Sequence, residues 1–402
     1  MWEQIRSNQI RSMVLTVGMG VLLLAVGYFL GMAFADSAIV GLVIALVLWA
    51  IMSLVGYFQG DSILLSMSRA KKINRDDHPR LYNIVEEMKI ASGLPRVPDV
   101  YIIDDPALNA FATGRDPNKA SVAITSGLLQ KLNRDELQGV IAHEISHIKN
   151  RDVLLMSMAS ILLGTIVILA WYGSRAMIFG GAGRSRRSSS SGGGQGQIIV
   201  LVLALVLMIL APIFAQLIYY AISRKREYLA DASAALYTRY PEGLASALEK
   251  LGASTGQLKS ANQATAPMYI INPFRKKGMA ATDLSSTHPP ISERIRILRS
   301  MGGGISYSKY EQAYSQIHKG GGSIIPASAL AASGATYKAV TPDERPKEPD
   351  KLTRTRETTD LMWKMSDYKT VDCQCGTRLR VPPSYKESEI ECPHCGRMNP
   401  VK

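Results

Sequence analysis

Four long stretches without a charged residue constrain this chain more than any other feature. They cover residues 12–35, 37–60, 153–174 and 198–222. An α-helix rises about 1.5 Å per residue and the hydrocarbon core of a bilayer is about 30 Å thick, so each stretch is long enough to cross it. We therefore predict four transmembrane helices, at about 13–35, 37–59, 153–174 and 198–222. For the third and fourth, a helical hairpin buried in protein is the alternative.

The end of the first stretch resembles a signal-peptidase site, Ala33-Phe34-Ala35. However, the apolar run before it is too long for the core of a signal peptide, and a second apolar stretch begins at Ser37. We therefore expect the first helix to remain in the protein as a membrane span.

The basic residues near the apolar stretches predict the orientation in the membrane. Eleven Lys and Arg residues lie on one side, against four on the other. Because short cytoplasmic loops carry the excess of Lys and Arg, we expect a multi-pass protein of the plasma (inner) membrane with both termini in the cytoplasm. This bias accounts for much of the net charge of +13. We therefore expect the lipid bilayer, and no nucleic acid, as a partner.

The sequence between the predicted spans indicates an α+β membrane protein. Its predicted parts are two spans in 1–60, a soluble segment at 61–152, a hairpin at 153–222 with a Gly/Ser/Arg loop at 175–197, a second soluble segment at 223–332, a charged linker at 333–365 and a cysteine-containing module at 366–402. In the first soluble segment, we predict helices at 78–93 and 133–150 and strands at Val97–Ile103, Ala110–Thr113 and Ala120–Thr125.

The second predicted helix contains the strongest chemical motif, His143-Glu144-Ile145-Ser146-His147. Residues four apart lie on one face of a helix, so both imidazoles can bind one Zn²⁺, while Glu144 stands beside them as a general base for a zinc-activated water. The alternative is a helix with two ordinary polar histidines. The chain has only six histidines, so this spacing next to a glutamate is uncommon by chance.

A catalytic zinc takes three protein ligands and keeps one position open. Two predicted spans follow the motif and return the chain to the same side of the membrane, where Glu227 and Asp231 lie four apart. We assign Glu227 as the third ligand, and we expect Asp231 to orient a histidine through its other ring nitrogen. Asp152 is a similar candidate. The alternatives are a solvated charged face for Glu227 and Asp231, and a helix-end charge for Asp152.

The chain resembles the HtpX-type membrane zinc metalloproteases, relatives of the CAAX prenyl proteases. The resemblance covers about residues 1–300 and follows one order of motifs: Asn109-Ala110-Phe111-Ala112-Thr113-Gly114, the His143–His147 motif with Asp152, Glu227-Tyr228-Leu229-Ala230-Asp231, and His288-Pro289-Pro290 with Arg294. It implies a mostly helical, gluzincin-like protease domain with a small β-sheet, folded from 61–152 and 223–332. It also supports Glu227 as the third zinc ligand.

The resemblance implies further roles that spacing alone does not give. His288, supported by Arg294, would stabilise the oxyanion of the tetrahedral intermediate. Asn109, Ala110, Phe111 and Ala112 would belong to an edge strand that binds an extended substrate through its main chain. From the residues alone, His288 fits a turn histidine, and the strand fits an ordinary core strand.

All four cysteines of the chain lie in the tail, as Cys373-Gln374-Cys375-Gly376 and Cys392-Pro393-His394-Cys395-Gly396. Four thiolates in two such pairs are typical of a closed, structural zinc site. We predict a zinc-ribbon-like module with Cys373, Cys375, Cys392 and Cys395 as ligands, and it offers a surface for a partner protein. Two disulfides are the alternative, which a cytoplasmic tail disfavours.

These features together predict a zinc-dependent endopeptidase of protein quality control and the stress response. We expect one catalytic and one structural Zn²⁺, and substrates that are misfolded or damaged membrane proteins, or other unfolded proteins, cleaved at the cytoplasmic face. Two alternatives stay open. One is a non-catalytic membrane scaffold or sensor acting through its tail, and the other is a CAAX-type processing protease of narrow specificity.

Overall fold

The structure is a computed structural model of the 402-residue chain. It describes residues 2–184, 194–220, 224–254, 256, 258–259, 266–271, 288–302, 304–318, 322–332, 336–340 and 348–401.

The described residues are mostly helical. The helices are α1 (Trp2–Ala35), α2 (Ala38–Met67), α3 (Pro79–Ser92), α4 (Ser126–Lys131), α5 (Arg134–Lys149), α6 (Asp152–Arg184), α7 (Gly194–Tyr220), α8 (Arg224–Thr238), α9 (Pro241–Ala253), α10 (Ile291–Arg299), α11 (Tyr307–Ile317), α12 (Ala327–Ala332) and α13 (Lys351–Met365). The strands are short: β1 (Lys71–Lys72), β2 (Asp99–Ile103), β3 (Ala110–Asp116), β4 (Lys119–Thr125), β5 (Gly304–Ile305), β6 (Tyr337–Lys338), β7 (Lys369–Asp372), β8 (Arg378–Val381), β9 (Glu389–Glu391) and β10 (Met398–Pro400).

One four-stranded sheet organises the first soluble segment, in the order β1-β2-β4-β3. Strand β4 pairs parallel with β2 and antiparallel with β3, so β3 forms an edge of the sheet. The alternation of side chains along the strands divides the apolar residues between two faces. One face, with Val122 and Ile124, joins the main core with α3 and α5, and the other, with Phe111 and Ala123, packs on Leu64 at the end of α2.

Within the described part of the chain, three helices are long and apolar enough to cross a membrane: Ile5–Ala35, Ala38–Met67 and Asp152–Arg175. Their outer surfaces carry exposed apolar side chains such as Ile39, Val47 and Ile168, which water would not stabilise. The fourth predicted span corresponds to α7. Its described apolar part, Val202–Ala215, is shorter than a span, so the four-span topology stays a prediction.

Helices α1 and α2 cross at three glycines. A Cβ atom on Gly41 would lie 2.0 Å from the carbonyl oxygen of Gly27 and 2.7 Å from the Cα of Gly31. Gly27 and Gly31 are spaced as in the small-residue motif that lets membrane helices approach closely. Only glycine therefore permits this crossing.

The loop predicted at 175–197 and the linker predicted at 333–365 both contain helical residues. The loop predicted at 175–197 is shortened from both sides, because α6 continues to Arg184 and α7 begins at Gly194. Residues 185–193 of that loop lie outside the described residues. The predicted linker 333–365 contains a helix, α13, whose Leu361 is buried in the main core. The charge-rich composition did not predict this helix, which one buried leucine and several ion pairs attach to the domain.

Candidate active site

Helix α5 presents the predicted metal ligands because its start is well defined. The side chain of Asn133 accepts a hydrogen bond from the main chain of Glu136, whose carboxylate accepts one from the main chain of Asn133. This capping box sets the helix in register, so His143 and His147 follow on one face. Their Nε2 atoms lie 3.2 Å apart.

Glu227 of α8 completes a cluster with the two histidines. Its carboxylate oxygens lie 3.5 Å from His143 Nε2 and 3.5 Å from His147 Nε2. A tetrahedral zinc with bonds of about 2.0–2.1 Å separates its donors by about 3.4 Å, so the three donors have the spacing of a zinc site. Among the described residues, the buried Oε2 of Glu227 also has no hydrogen-bond partner, and a bound metal ion would compensate it. The residues present therefore fit the ion.

Each histidine is held by a carboxylate on its other ring nitrogen. Asp231 Oδ1 lies 3.0 Å from His143 Nδ1, and Asp152 Oδ2 lies 3.0 Å from His147 Nδ1. In both pairs Nδ1–H donates to the carboxylate, which leaves the Nε2 lone pair free to bind metal. The structure thus brings Asp231 and Asp152 into the positions that the sequence predicted.

Arg294 lies behind the cluster, fully buried, and its described ion pairs are with Asp231 and Glu227, while its support of His288 stays a prediction. Its Nε and Nη2 donate to the two oxygens of Asp231 at 2.8 and 2.7 Å, and its Nη1 lies 3.5 Å from Glu227 Oε2. The guanidinium therefore compensates two buried carboxylates, one of which orients a histidine. Sequence reasoning could not assign these partners, because Arg294 lies 63 residues from Asp231.

The electrostatics favour positive charge among the three donors. Burial by itself lowers the pKa of His143, but the neighbouring carboxylates of Asp231 and Glu227 raise it to about 9. Burial by itself raises the pKa of Glu227, but the positive charge of His143 and its hydrogen bond hold that pKa well below the usual range. Carboxylates that stabilise a protonated imidazole stabilise a divalent cation in the same place.

Glu144 is buried beside the edge strand β3. Burial raises the pKa of its carboxyl group, while the neighbouring histidines and a hydrogen bond from the main chain of Ala112 lower it in part. A carboxylate with a raised pKa is a better proton acceptor near neutral pH, which suits a general base.

His288 faces the same cluster from the second soluble segment. Its Nε2 lies 3.8 Å from Glu227 Oε2, and the residue is 6% exposed. Burial lowers its pKa to about 4, so the imidazole is neutral at neutral pH and keeps one N–H to donate. The structure therefore brings His288 to the site that the resemblance implies.

The predicted substrate strand β3 is an edge strand of the sheet, and its residues 110–114 are buried. The main-chain oxygen of Ala110 accepts a hydrogen bond from the main-chain N–H of Ile270, and the side-chain Nδ2 of Asn109 donates to the main-chain oxygen of Ile271. The side chain of Phe111 is buried against Tyr269. Asn109 and Phe111 therefore hold the segment 266–271 on the strand, and Ala112 is the member of the predicted set that lies beside Glu144.

The four tail cysteines also converge. Two hairpins, β7–β8 and β9–β10, each present a pair, with Cys373 Sγ 3.5 Å from Cys395 Sγ and Cys375 Sγ 3.7 Å from Cys392 Sγ. A tetrahedral zinc with Zn–S bonds of about 2.3 Å separates its sulfurs by about 3.8 Å, whereas a disulfide bond is about 2.05 Å long. The spacing fits a metal and excludes two disulfides in this structure.

Sequence reasoning missed Asn8 of α1, which donates to Asp152 Oδ1 at 2.6 Å. The sequence gives no signal for it, because Asn8 lies in a polar start of the helix among Ser7, Gln9 and Arg11. Its contact with Asp152 spans 144 residues, so no local pattern reveals it.

Comparisons with known proteins agree with this geometry. The model of peptidase family M48 matches residues 75–302. A protease HtpX homolog of Dictyoglomus turgidum is 44% identical over 301 residues, 75% of this chain and 95% of that protein. A protease HtpX homolog of Streptococcus mutans is 45% identical over 75% of this chain and 100% of that protein.

A solved structure, the crystal structure of S. mikatae Ste24p, aligns with 73% of this chain and 66% of that chain at 22% sequence identity and a TM-score of 0.38. The family assignment rests on the sequence matches and not on this likeness. The sequence matches confirm the resemblance to the HtpX-type proteases and the assignment as a protease. The chain therefore belongs to peptidase family M48 as an HtpX-type member, and it is a membrane zinc metalloprotease.

Proposed function

We propose that this protease cleaves misfolded or damaged membrane proteins, and unfolded proteins, at the cytoplasmic face of the plasma membrane. One observation carries the proposal. The helix with His143 and His147 leads through a tight turn into α6, and Glu227 lies in the first turn of α8, which follows α7. Both halves of the cluster are thus joined directly to membrane helices, so a peptide bond must come to the membrane surface to reach it.

We propose that His143, His147 and Glu227 hold the catalytic zinc. When bound there, zinc supplies Lewis acidity, which lowers the pKa of a coordinated water to about 7 and polarises a carbonyl group. Glu144 accepts a proton at its carboxylate and returns it to the leaving amine. His288 donates its N–H to the negative charge that develops on the carbonyl oxygen. Asp231 and Asp152 hold the rings of His143 and His147 by their Nδ1–H groups throughout.

Substrate binding is assigned to β3 beside Glu144. The main chain of Ala112 donates a hydrogen bond to Glu144, and β3 is an edge strand, to which an extended peptide can add as a further strand. Main-chain pairing has little preference for side chains. It therefore suits substrates that share an unfolded state and not a sequence.

The four-span topology belongs to the same proposal. The two ends of the α6–α7 hairpin meet, since Arg226 Nη1 lies 4.0 Å from Asp152 Oδ1. An even number of crossings by α6 and α7 returns the chain to one side, and the excess of Lys and Arg favours the cytoplasm. In the tail, we propose a zinc ribbon held by Cys373, Cys375, Cys392 and Cys395, with a recruiting role for substrates or a partner protein.

The test of the mechanism is Glu144→Gln. Glutamine keeps the size of the side chain but accepts no proton, so cleavage of an unfolded membrane protein by the reconstituted, zinc-loaded chain should fall by about 10²–10⁴-fold. Zinc content should stay at the parental value, because Glu144 is not a ligand. Cleavage at the parental rate by Glu144→Gln would contradict the role of Glu144. Comparing a prenylated peptide with the unfolded protein tests the CAAX-type alternative.

A further inference from the structure

Asn8 of α1 reaches the turn between the metal-binding helix and the membrane. Its side chain is 0% exposed, and its Nδ2 donates to the main-chain oxygen of Asn150 at 2.9 Å and to Asp152 Oδ1 at 2.6 Å. An amide nitrogen carries two N–H donors, and these two contacts use both. The residue therefore joins the first membrane helix to two points near the active site.

The two acceptors stand on either side of Arg151, the residue that connects α5 to α6. Its φ is +58°, in the left-handed region that residues other than glycine adopt only at a cost. The turn therefore needs support from its surroundings. Asn8 supplies that support, since it binds the residue before the turn and the residue after it.

Asp152 carries the effect to a metal ligand. Its Oδ2 lies 3.0 Å from His147 Nδ1, while its Oδ1 accepts the hydrogen bond from Asn8 and faces Arg226 Nη1 at 4.0 Å. With both oxygens occupied, the carboxylate has one rotational setting. The ring of His147 then has one orientation towards the metal.

We propose that Asn8 is a positioning residue of the metal site, which acts through Asp152 on His147. This inference rests on the proposed ligand set of His143, His147 and Glu227. Partners that orient a ligand are worth roughly 10–100-fold in metal affinity, and Asn8 acts one contact further out. A loss near the lower end of that range, about 10-fold, is expected.

The test compares Asn8→Ala and Asn8→Asp with the control Ser12→Ala in the full chain. Ser12 lies one turn further on the same helix, is 9% exposed, and donates a hydrogen bond to the main-chain oxygen of Asn8. The control thus removes a buried local hydrogen bond without touching Asp152. Asn8→Asp keeps the shape of the side chain, removes its donors and places a second carboxylate beside Asp152.

The first readout is the rate at which purified protein releases zinc to a chromophoric chelator. Zinc bound by the tail cysteines also contributes to the release. The kinetic phase of zinc release that is missing in Glu227→Gln therefore reports the catalytic site. We expect that phase to be about 10-fold faster in Asn8→Ala and faster still in Asn8→Asp, with the parental rate in Ser12→Ala. The visible spectrum of the cobalt-substituted protein should change in the Asn8 variants, since it reports ligand geometry.

Parental zinc-release rates in both Asn8 variants would overturn the inference. A milder effect of Asn8→Asp than of Asn8→Ala would also overturn it, because the shape of the side chain would then matter and not its N–H donors. The second readout covers loss of folding. Zinc should raise the Tm of Asn8→Ala less than that of the parent, and an equal rise in both would again overturn the inference. A parent chain with no Glu227-dependent phase would instead overturn the proposed ligand set itself.

Discussion

At the scale of single residues, the site depends on charges that are buried in compensating pairs. Arg294 is fully buried between Asp231 and Glu227, and Asp231 in turn holds His143. Removing one partner of such a group leaves an uncompensated charge away from water, which is more damaging than the loss of an exposed pair. The guanidinium is therefore part of the folding of the site and not only of its chemistry.

We predict that Arg294→Met destabilises the protein by about 3–5 kcal/mol, seen as a large fall in Tm of the purified chain. The matched control is Arg299→Met on the same helix, because Arg299 pairs with Glu242 and Glu249 at the surface. Exposed pairs contribute about 0–1 kcal/mol, so the control should melt close to the parent. Equal melting of both variants would contradict the role assigned to Arg294.

The sequence predicted those parts of the site that follow from local periodicity. The spacing of His143 and His147 on one helix face needs only the geometry of α5, and the return of Glu227 to the same place needs only an even number of crossings. The contacts of Asn8 and Arg294 bridge distant segments, so only the folded chain reveals them. The packing of α13 was not predicted from the sequence, because it depends on one buried side chain, Leu361, in a polar stretch.

At the scale of elements, helix ends and crossings hold the site in place. His78 caps the N-terminus of helix α3, because its Nδ1 accepts a hydrogen bond from the main-chain N–H of Leu81. The side chain is 2% exposed, and its Nε2 has no hydrogen-bond partner among the described residues. A proton on this cap would therefore be costly.

We predict that His78 makes the folded state sensitive to acid. Burial, and secondarily Arg80, lowers its pKa to about 4, against an unfolded value of 6.5. Between pH 6.5 and 4, His78 is protonated in the unfolded chain but not in the folded chain. The free energy of unfolding therefore falls as the pH falls from 6.5 to 4, by about 3 kcal/mol at most. Replacement by asparagine keeps a capping acceptor without the titration.

The measurement is the Tm of the parent and of His78→Asn at several pH values, both with a metal chelator present. The Tm of the parent should fall more steeply below pH 6.5 than that of the variant. Parallel curves would show that His78 does not set this dependence.

A second prediction at this scale concerns the crossing of α1 and α2. Gly41→Ala places a Cβ on backbone atoms of the facing helix, and we expect the helices to separate at a cost of about 1–3 kcal/mol. Gly18→Ala is the control, because nothing lies within 4 Å of the added atom. Thermal melting in detergent should distinguish the two, and a parental Tm for Gly41→Ala would contradict the crossing.

At the scale of the whole molecule, the tail is attached to the protease domain through α13. Glu348 accepts a hydrogen bond from the main chain of Arg134 and pairs with Arg80, and the amine of Lys364 pairs with Asp77. The cysteine module therefore continues from a helix packed on the domain. Its distance from the catalytic cluster along the chain does not make it independent of that domain.

We predict two zinc ions per chain, each tied to its own donors. Glu227→Gln should lose one ion and all cleavage, whereas Cys392→Ser should lose the other ion and keep Glu144-dependent cleavage of an unfolded substrate. Elemental analysis of the purified variants gives the count. A single ion in the parent, or loss of both ions in either variant, would contradict two separate sites.

The turn at Arg151 has a consequence for which bonds can be cut. The turn joins the ligand-bearing helix α5 directly to the membrane helix α6. The catalytic centre would therefore lie at a fixed height above the lipid. A chain threaded from the bilayer reaches that centre only after a set length has emerged. The protease would then select the peptide bond by its distance from the lipid and not by the identity of the neighbouring residues.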